Sequence, residues 1–136
     1  MKYLVAALMI ASAGPAGASE YLYTEVSNPG ETMDAFVTRI APKALEHTWK
    51  HNAEVCGPIR QTEQGYEVRI STDGRRDECS LPGDTVVYVH THPRGIGFGF
   101  SPSDYVRPGY LITERAVKYQ NYLGERSKRP RLVTTL

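Results

Sequence analysis

Apolar residues follow two periods along this chain, and the change falls at Asn52. Over "ETMDAFVTRIAPKALEHTWKHN", Glu31 to Asn52, Phe36, Ile40 and Ala44 recur every fourth position with Met33 and Val37 beside them. That stripe predicts a helix burying one face. Pro42 lies inside it, lacking a backbone donor and crowding the preceding turn, so a kink or two abutting helices are expected. Beyond Asn52, "EVCGPIR" and "GYEVRIS" predict two strands joined around Gln64-Gly65, followed by the polar loop "STDGRRDECSLPGD". "TVVYV", Thr85 to Val89, is continuously apolar and mostly β-branched, which predicts a strand buried on both faces. "GYLIT" and "AVKYQNY" predict a hairpin about Glu114-Arg115, and a short last strand is expected around Leu132 to Thr134. Together these elements make one α/β domain: a mixed sheet with at least one long helix against it.

The 136 residues leave room for a single domain. The opening "MKYLVAALMIASAGPAGA" departs from the rest, with Lys2, an apolar run from Tyr3 to Ile10 and small residues up to Ala18. It reads as a secretory signal peptide over residues 1–18, leaving 19–136 as the folded domain. A membrane anchor would need about 20 continuous apolar residues, and this run stops at Ser12, Gly14 and Pro15. No later stretch is apolar enough to span a membrane. Without Lys2 the basic and acidic side chains balance to a formal net charge of zero, which argues against a general binder of nucleic acid or membrane surfaces. Arg126, Lys128, Arg129 and Arg131 cluster in "GERSKRPRL" and read as a solvated tail. Cys56 and Cys79 are the two cysteines. In an exported chain they most simply form one disulfide, the alternatives being two free thiols or a thiolate metal ligand.

Chemistry concentrates in "VYVHTHPRGIGFGFSPSD". His90 and His92 follow the buried strand directly, and residues two apart in extended chain point to the same side. Two imidazoles so placed can converge on one ion at about 2.1 Å from each nitrogen. Pro93 keeps His92 extended, because the α region is disfavoured before proline. Taken alone, His-x-His is as readily a pair of polar residues at a strand end. Asp104 adds an oxygen ligand, and a His, His, Asp set leaves the fourth tetrahedral position open, as in catalytic zinc sites. Ser101 and Ser103 can also cap a helix or close a turn. A hydrolytic zinc site further needs a carboxylate that moves protons without ligating the metal. Glu54, at the junction of the long helix and the first strand, is the best candidate, whereas Glu63, Glu67 and Glu78 read as surface residues.

The combination of "EVCG" at 54–57, "HTHP" at 90–93 and "SPSD" at 101–104 resembles the JAMM motif of the MPN-plus (JAB-domain) metalloproteases. The resemblance runs from about Ala35 to Tyr122. It implies a mixed, curved sheet flanked by helices, of cytidine-deaminase-like type, with zinc bound by His90, His92 and Asp104. It also implies Glu54 as general acid/base and Ser101 as hydrogen-bond donor to the oxyanion. Between His92 and Ser101 the chain has eight residues, one more than that family's usual spacing. The extra length falls in "RGIGFGF", where Gly95, Gly97 and Gly99 absorb an insertion easily. The loop reads equally as a flexible apolar flap or as a segment tucking Ile96, Phe98 and Phe100 onto the core. "GIGFG" lacks the spacing of a dinucleotide fingerprint. His47 and His51 in "HTWKH" lack the glutamate of the His-Glu-x-x-His proteases and read as surface or helix-end residues.

The expected protein is a zinc-dependent hydrolase of peptide or isopeptide bonds, periplasmic or secreted, acting as a monomer on a peptide, protein or cell-wall peptide. A non-catalytic binding or assembly module of the same fold in the periplasm is the alternative. A zinc deaminase would need Pro-Cys-x-x-Cys, which the sequence lacks.

Overall fold

A computed structural model describes residues 19–121 and 130–136. The expected leader 1–18, Tyr122 and the basic residues Arg126, Lys128 and Arg129 lie outside the described residues. The helix α1 spans Met33–His51. Thr32 caps its start by accepting from the Ala35 N–H at 3.1 Å. Asn52 ends it in the left-handed conformation, φ 50°, with its N–H turned back to the Thr48 and Trp49 carbonyls. One continuous helix runs through Pro42, so of the two outcomes expected there, a kink or two abutting helices, the second is not found. Pro42 lies on the exposed face of the helix, away from the buried stripe. The apolar stripe of Phe36, Val37, Ile40, Ala41, Ala44 and Leu45 is buried against the sheet.

The strands are β1 Glu20–Val26, β2 Cys56–Thr62, β3 Gly65–Thr72, β4 Val87–Thr91, β5 Gly109–Ile112, β6 Ala116–Gln120 and β7 Arg131–Thr135. They form one open mixed sheet in the order β1-β3-β2-β4-β5-β6-β7, antiparallel except for the central β4–β5 pair. The domain is therefore single and α/β. Among the described residues it has one α-helix, so the expected flanking by several helices is not met. Helix α1 covers one face of the sheet. Two loops lie toward the other face: the disulfide Cys56–Cys79 ties down the first, and in the second the Phe100 ring packs 5.8 Å from that of His90 while the Phe98 carbonyl accepts from Lys118 Nζ at 3.1 Å.

Three details differ from the sequence reading. First, β1 has no clear alternating pattern, because its register against β3 shifts between Tyr21 and Tyr23; such an irregularity breaks period two. Second, β4 starts at Val87 and not at Thr85. Thr85 is held in a turn, its N–H and hydroxyl both donating to the Pro82 carbonyl at 3.1 and 2.6 Å, and Val86 is left 76 % exposed. Burial on both faces holds from Tyr88 onward, so the strand carries His90 within it. Third, Arg131 is no tail residue. Its guanidinium grips Asp34 in the first turn of α1 at 2.7 and 3.1 Å and lies 5.1 Å from the Tyr119 ring centre.

A buried hydroxyl pair joins the layers. Thr48 on α1 and Thr91 on β4 are hydrogen-bonded, and Thr91 Oγ1 accepts from the Val55 N–H at 2.9 Å where the chain enters β2. Thr91→Val keeps the shape but strands both partners in the core, so it is expected to lower stability by roughly 1–3 kcal/mol at an unchanged denaturant slope. Urea unfolding of the two proteins measures it.

Candidate metal centre

Alternation about Thr91 sets the site. Because Thr91 faces α1, its neighbours His90 and His92 face the opposite, loop-covered side. The same logic acts at the start of β2, where Val55 enters the core under α1 and Glu54 turns the other way. Glu54 is held by its backbone, its N–H donating to the Arg75 carbonyl at 2.8 Å and its carbonyl accepting from Thr72 Oγ1 at 2.7 Å. The His92 N–H donates to the Ile112 carbonyl at 3.1 Å. Glu54, His90 and His92 are only 5, 4 and 6 % exposed.

Each imidazole is oriented through its Nδ1. His90 Nδ1 lies 2.9 Å from the Tyr110 carbonyl and His92 Nδ1 3.1 Å from that of Gly97. Carbonyl oxygens only accept, so both Nδ1 atoms carry the hydrogen, and a neutral ring then presents an Nε2 lone pair. Those lone pairs face carboxylates: His90 Nε2 is 3.3 Å from Asp104 Oδ2, and His92 Nε2 is 3.5 Å from Glu54 Oε1. His90 Nε2 is fully buried and makes no hydrogen bond of acceptable geometry. A lone pair against an anion, out of water, requires a positive charge between them, either a proton or a metal ion. A tetrahedral ion with arms of about 2.0–2.2 Å holds neighbouring ligand atoms about 3.3–3.6 Å apart, and both gaps match that edge. One atom each from Glu54, His90 and His92 lie within 4.8 Å of one another, a buried group that could hold a metal ion; Asp104, expected as the third ligand, approaches His90 but falls outside that group, and Glu54, expected to stay off the metal, falls inside it.

The charges respond accordingly. Burial raises Glu54 to about 7, an effect His90 opposes and Asp104, Asp77 and Glu78 reinforce. Burial pulls His90 down, but the facing Asp104 and Glu54 carboxylates outweigh it and its affinity for a proton is raised. His92 is lowered, first by burial and then by its neighbour His90. Burial pushes Asp104 up, yet His90 and the Ser101 backbone hold its carboxyl below the ordinary range.

Asp104 sits in a one-turn 3-10 helix, Pro102–Val106, whose cap residue is Ser101. The Ser101 N–H donates to Asp104 Oδ2 at 2.7 Å. The Ser101 hydroxyl is exposed and lies 3.4 Å from that of Ser103. Two residues that the sequence did not single out brace this turn. Tyr88 donates its hydroxyl to the Asp104 carbonyl at 2.7 Å, and Gln120 Nε2 reaches the carbonyls of Asp104 and Arg107 at 2.9 and 2.7 Å. Tyr88 shares the strand parity of His90, the one signal that could have marked it. The glycine loop tucks inward: Ile96, Phe98 and Phe100 are half-buried while Gly95, Gly97 and Gly99 are exposed. Positive φ at Gly95 (91°) and Gly97 (106°) permits that path and aims the Gly97 carbonyl at His92.

Beside the cluster lies a cleft of about 270 Å³, lined by Glu54, His90 and Asp104 on one side and by the disulfide, Asp77 and Glu78 on another. Ser103 lines it too. Glu78 is therefore a cleft residue as well as a surface one, whereas Glu63 is exposed and Glu67 half-buried on β2–β3. His47 and His51 stack on each other at 6.1 Å, and His47 also packs on Tyr23 at 4.6 Å, away from the cluster and half-buried. Cys56 and Cys79 are disulfide-bonded, and among the described residues no helix is long and apolar enough to cross a membrane; both are compatible with a secreted or periplasmic protein. No family model, curated protein or solved structure matches the chain.

In the metal-free protein the neutral form of Glu54 is the favoured one. Its contribution to stability is whole below its ordinary value near 4.5 and is lost as pH rises to about 7. Relative to Glu54→Gln, chelator-treated wild type is expected to lose about 3 kcal/mol across that window and to run parallel outside it. Urea midpoints at several pH values measure the difference.

Proposed function

We propose that this protein is a zinc-dependent hydrolase of peptide or isopeptide bonds. The observation that carries the reading is the pair of buried Nε2 lone pairs aimed at two carboxylates across gaps of 3.3 and 3.5 Å. In this reading His90, His92 and Asp104 hold the metal, and their resemblance to the JAMM motif supports that division of labour. When bound, zinc supplies Lewis acidity, polarising the scissile carbonyl and acidifying water.

The chain's own groups do the rest. The Tyr110 and Gly97 carbonyls fix both imidazole tautomers, so neither ring must reorient to present Nε2. Glu54, poised near 7 by burial, takes a proton from the attacking water at its carboxylate and returns it to the leaving amine. Ser101, at the cap of the turn that carries Asp104, is assigned by the resemblance to donate its hydroxyl to the developing oxyanion. Phe100 and Tyr105 stand at the edge of the cluster and keep its dielectric low. The signal-like leader and the disulfide support work outside the cytoplasm, on a peptide, protein or cell-wall peptide.

Purified protein is expected to carry about one zinc per chain by elemental analysis, to lose it on Asp104→Asn and to keep it on Glu54→Gln. The Glu54→Gln enzyme should lose about 10²–10⁴-fold in turnover of a peptide panel. Full turnover in that variant, or zinc-free wild type, overturns the reading. Zinc-dependent peptide capture without turnover would favour a non-catalytic module.

A further inference from the structure

Part of the lining of the cleft that His90 borders, Asp77 to Cys79, comes from one loop, and that loop is pinned at several points. Its start is held where Asp73 accepts from the Ser80 N–H and hydroxyl at 2.8 and 2.6 Å. Arg75 gives its carbonyl to the Glu54 N–H. Arg76 bonds to Asn52 Oδ1 and to the Arg94 carbonyl, and Cys79 is joined covalently to Cys56. Asp77 and Glu78 therefore lie between two anchored residues, and both line the same cleft as Glu54, His90 and Asp104. His90, whose buried Nε2 faces Asp104 at 3.3 Å without a hydrogen bond, lines that cleft as well.

The two carboxylates differ. Glu78 is already paired with Arg75 at 2.7 Å. Asp77 has no ion pair among the described residues, and its charge reaches Glu54. Holding an unpaired carboxylate at the rim of a cleft keeps it from collapsing onto a neighbour and leaves it free for an incoming cation. The opposing charge is that of Arg107, which also lines the cleft, but its Nη1 is taken up by the Pro82 and Thr85 carbonyls at 3.4 and 3.2 Å.

We propose that Asp77, assisted by Glu78, is a specificity determinant that selects a cationic side chain, such as that of lysine, arginine or another diamino acid, next to the bond cleaved. Cleavage rests on the hydrolase reading above; the recognition of the cation does not. The cation would lie along the disulfide wall with its head group at Asp77, while its backbone crosses the Glu54–His90–Asp104 side of the cleft.

The test uses full-length zinc-loaded protein and matched peptides differing only in one residue: lysine, norleucine or glutamate. Wild type is expected to favour lysine over norleucine by about fivefold in kcat/KM. Asp77→Asn should erase that ratio, and Asp77→Lys should turn it toward glutamate. The same three peptides are titrated by calorimetry against zinc-loaded Glu54→Gln protein with and without Asp77→Asn, which reads recognition without turnover. Lysine preference in binding that Asp77→Asn removes, with no hydrolysis in wild type, would sink the hydrolase reading and leave the cation wall standing. Equal binding of lysine and norleucine peptides, indifference to Asp77→Asn, or a glutamate preference imposed by Arg107, overturns the proposal.

Discussion

The hydrogen bond between Thr48 and Thr91 is the constraint on which the site depends. It joins the last turn of α1 to the end of the central strand, and through the Val55 N–H it also joins the entry to β2. All three residues are buried, so an unmade bond there would leave polar groups dry. Fixing Thr91 toward the helix forces His90 and His92 to the opposite face, and fixing Val55 does the same for Glu54. Three side chains from two distant parts of the sequence are thus aimed to one side of the sheet by hydroxyl chemistry on the other.

The cluster itself runs against stability. Two imidazoles and two carboxylates share a water-poor space, and their desolvation is offset only in part by mutual attraction. The surroundings supply the remainder as fixed dipoles: carbonyls of Tyr110 and Gly97 on the rings, and the Ser101 N–H on Asp104. Tyr88 and Gln120 hold the turn that carries Asp104 by its backbone, leaving its carboxylate free to face His90. Such a site is preorganised before any ligand arrives.

Much of this was legible because periodicity reports burial. The stripe from Phe36 to Leu45 and the β5–β6 hairpin around Glu114 appear where the pattern places them, and the His-x-His spacing in extended chain does put both rings on one side. Pattern fails where local bonds override it. The turn at Pro82 delays β4 by two residues, and the irregularity at Tyr21 hides β1. Arg131 looks like one more charge in a basic run, yet its partner Asp34 lies at the other end of the domain. No local signal announces such a long-range pair. For the same reason Asp77 and Glu78 read as loop polarity until the Cys56–Cys79 bond brings them to the cleft. The glycine loop was ambiguous because its glycines permit either path, and Phe98 and Phe100 decide for the inward one through Arg115 and His90.

The Cys56–Cys79 bond has one more implication. It attaches the acidic wall to the strand only two residues beyond Glu54, adding a covalent tie to the bonds from Ser80 to Asp73 and from Glu54 to Arg75. Reduction would remove the covalent tie and leave that wall on its hydrogen bonds alone. The stiffness of that wall thereby depends on the redox surroundings, whereas the backbone carbonyls that orient His90 and His92 do not.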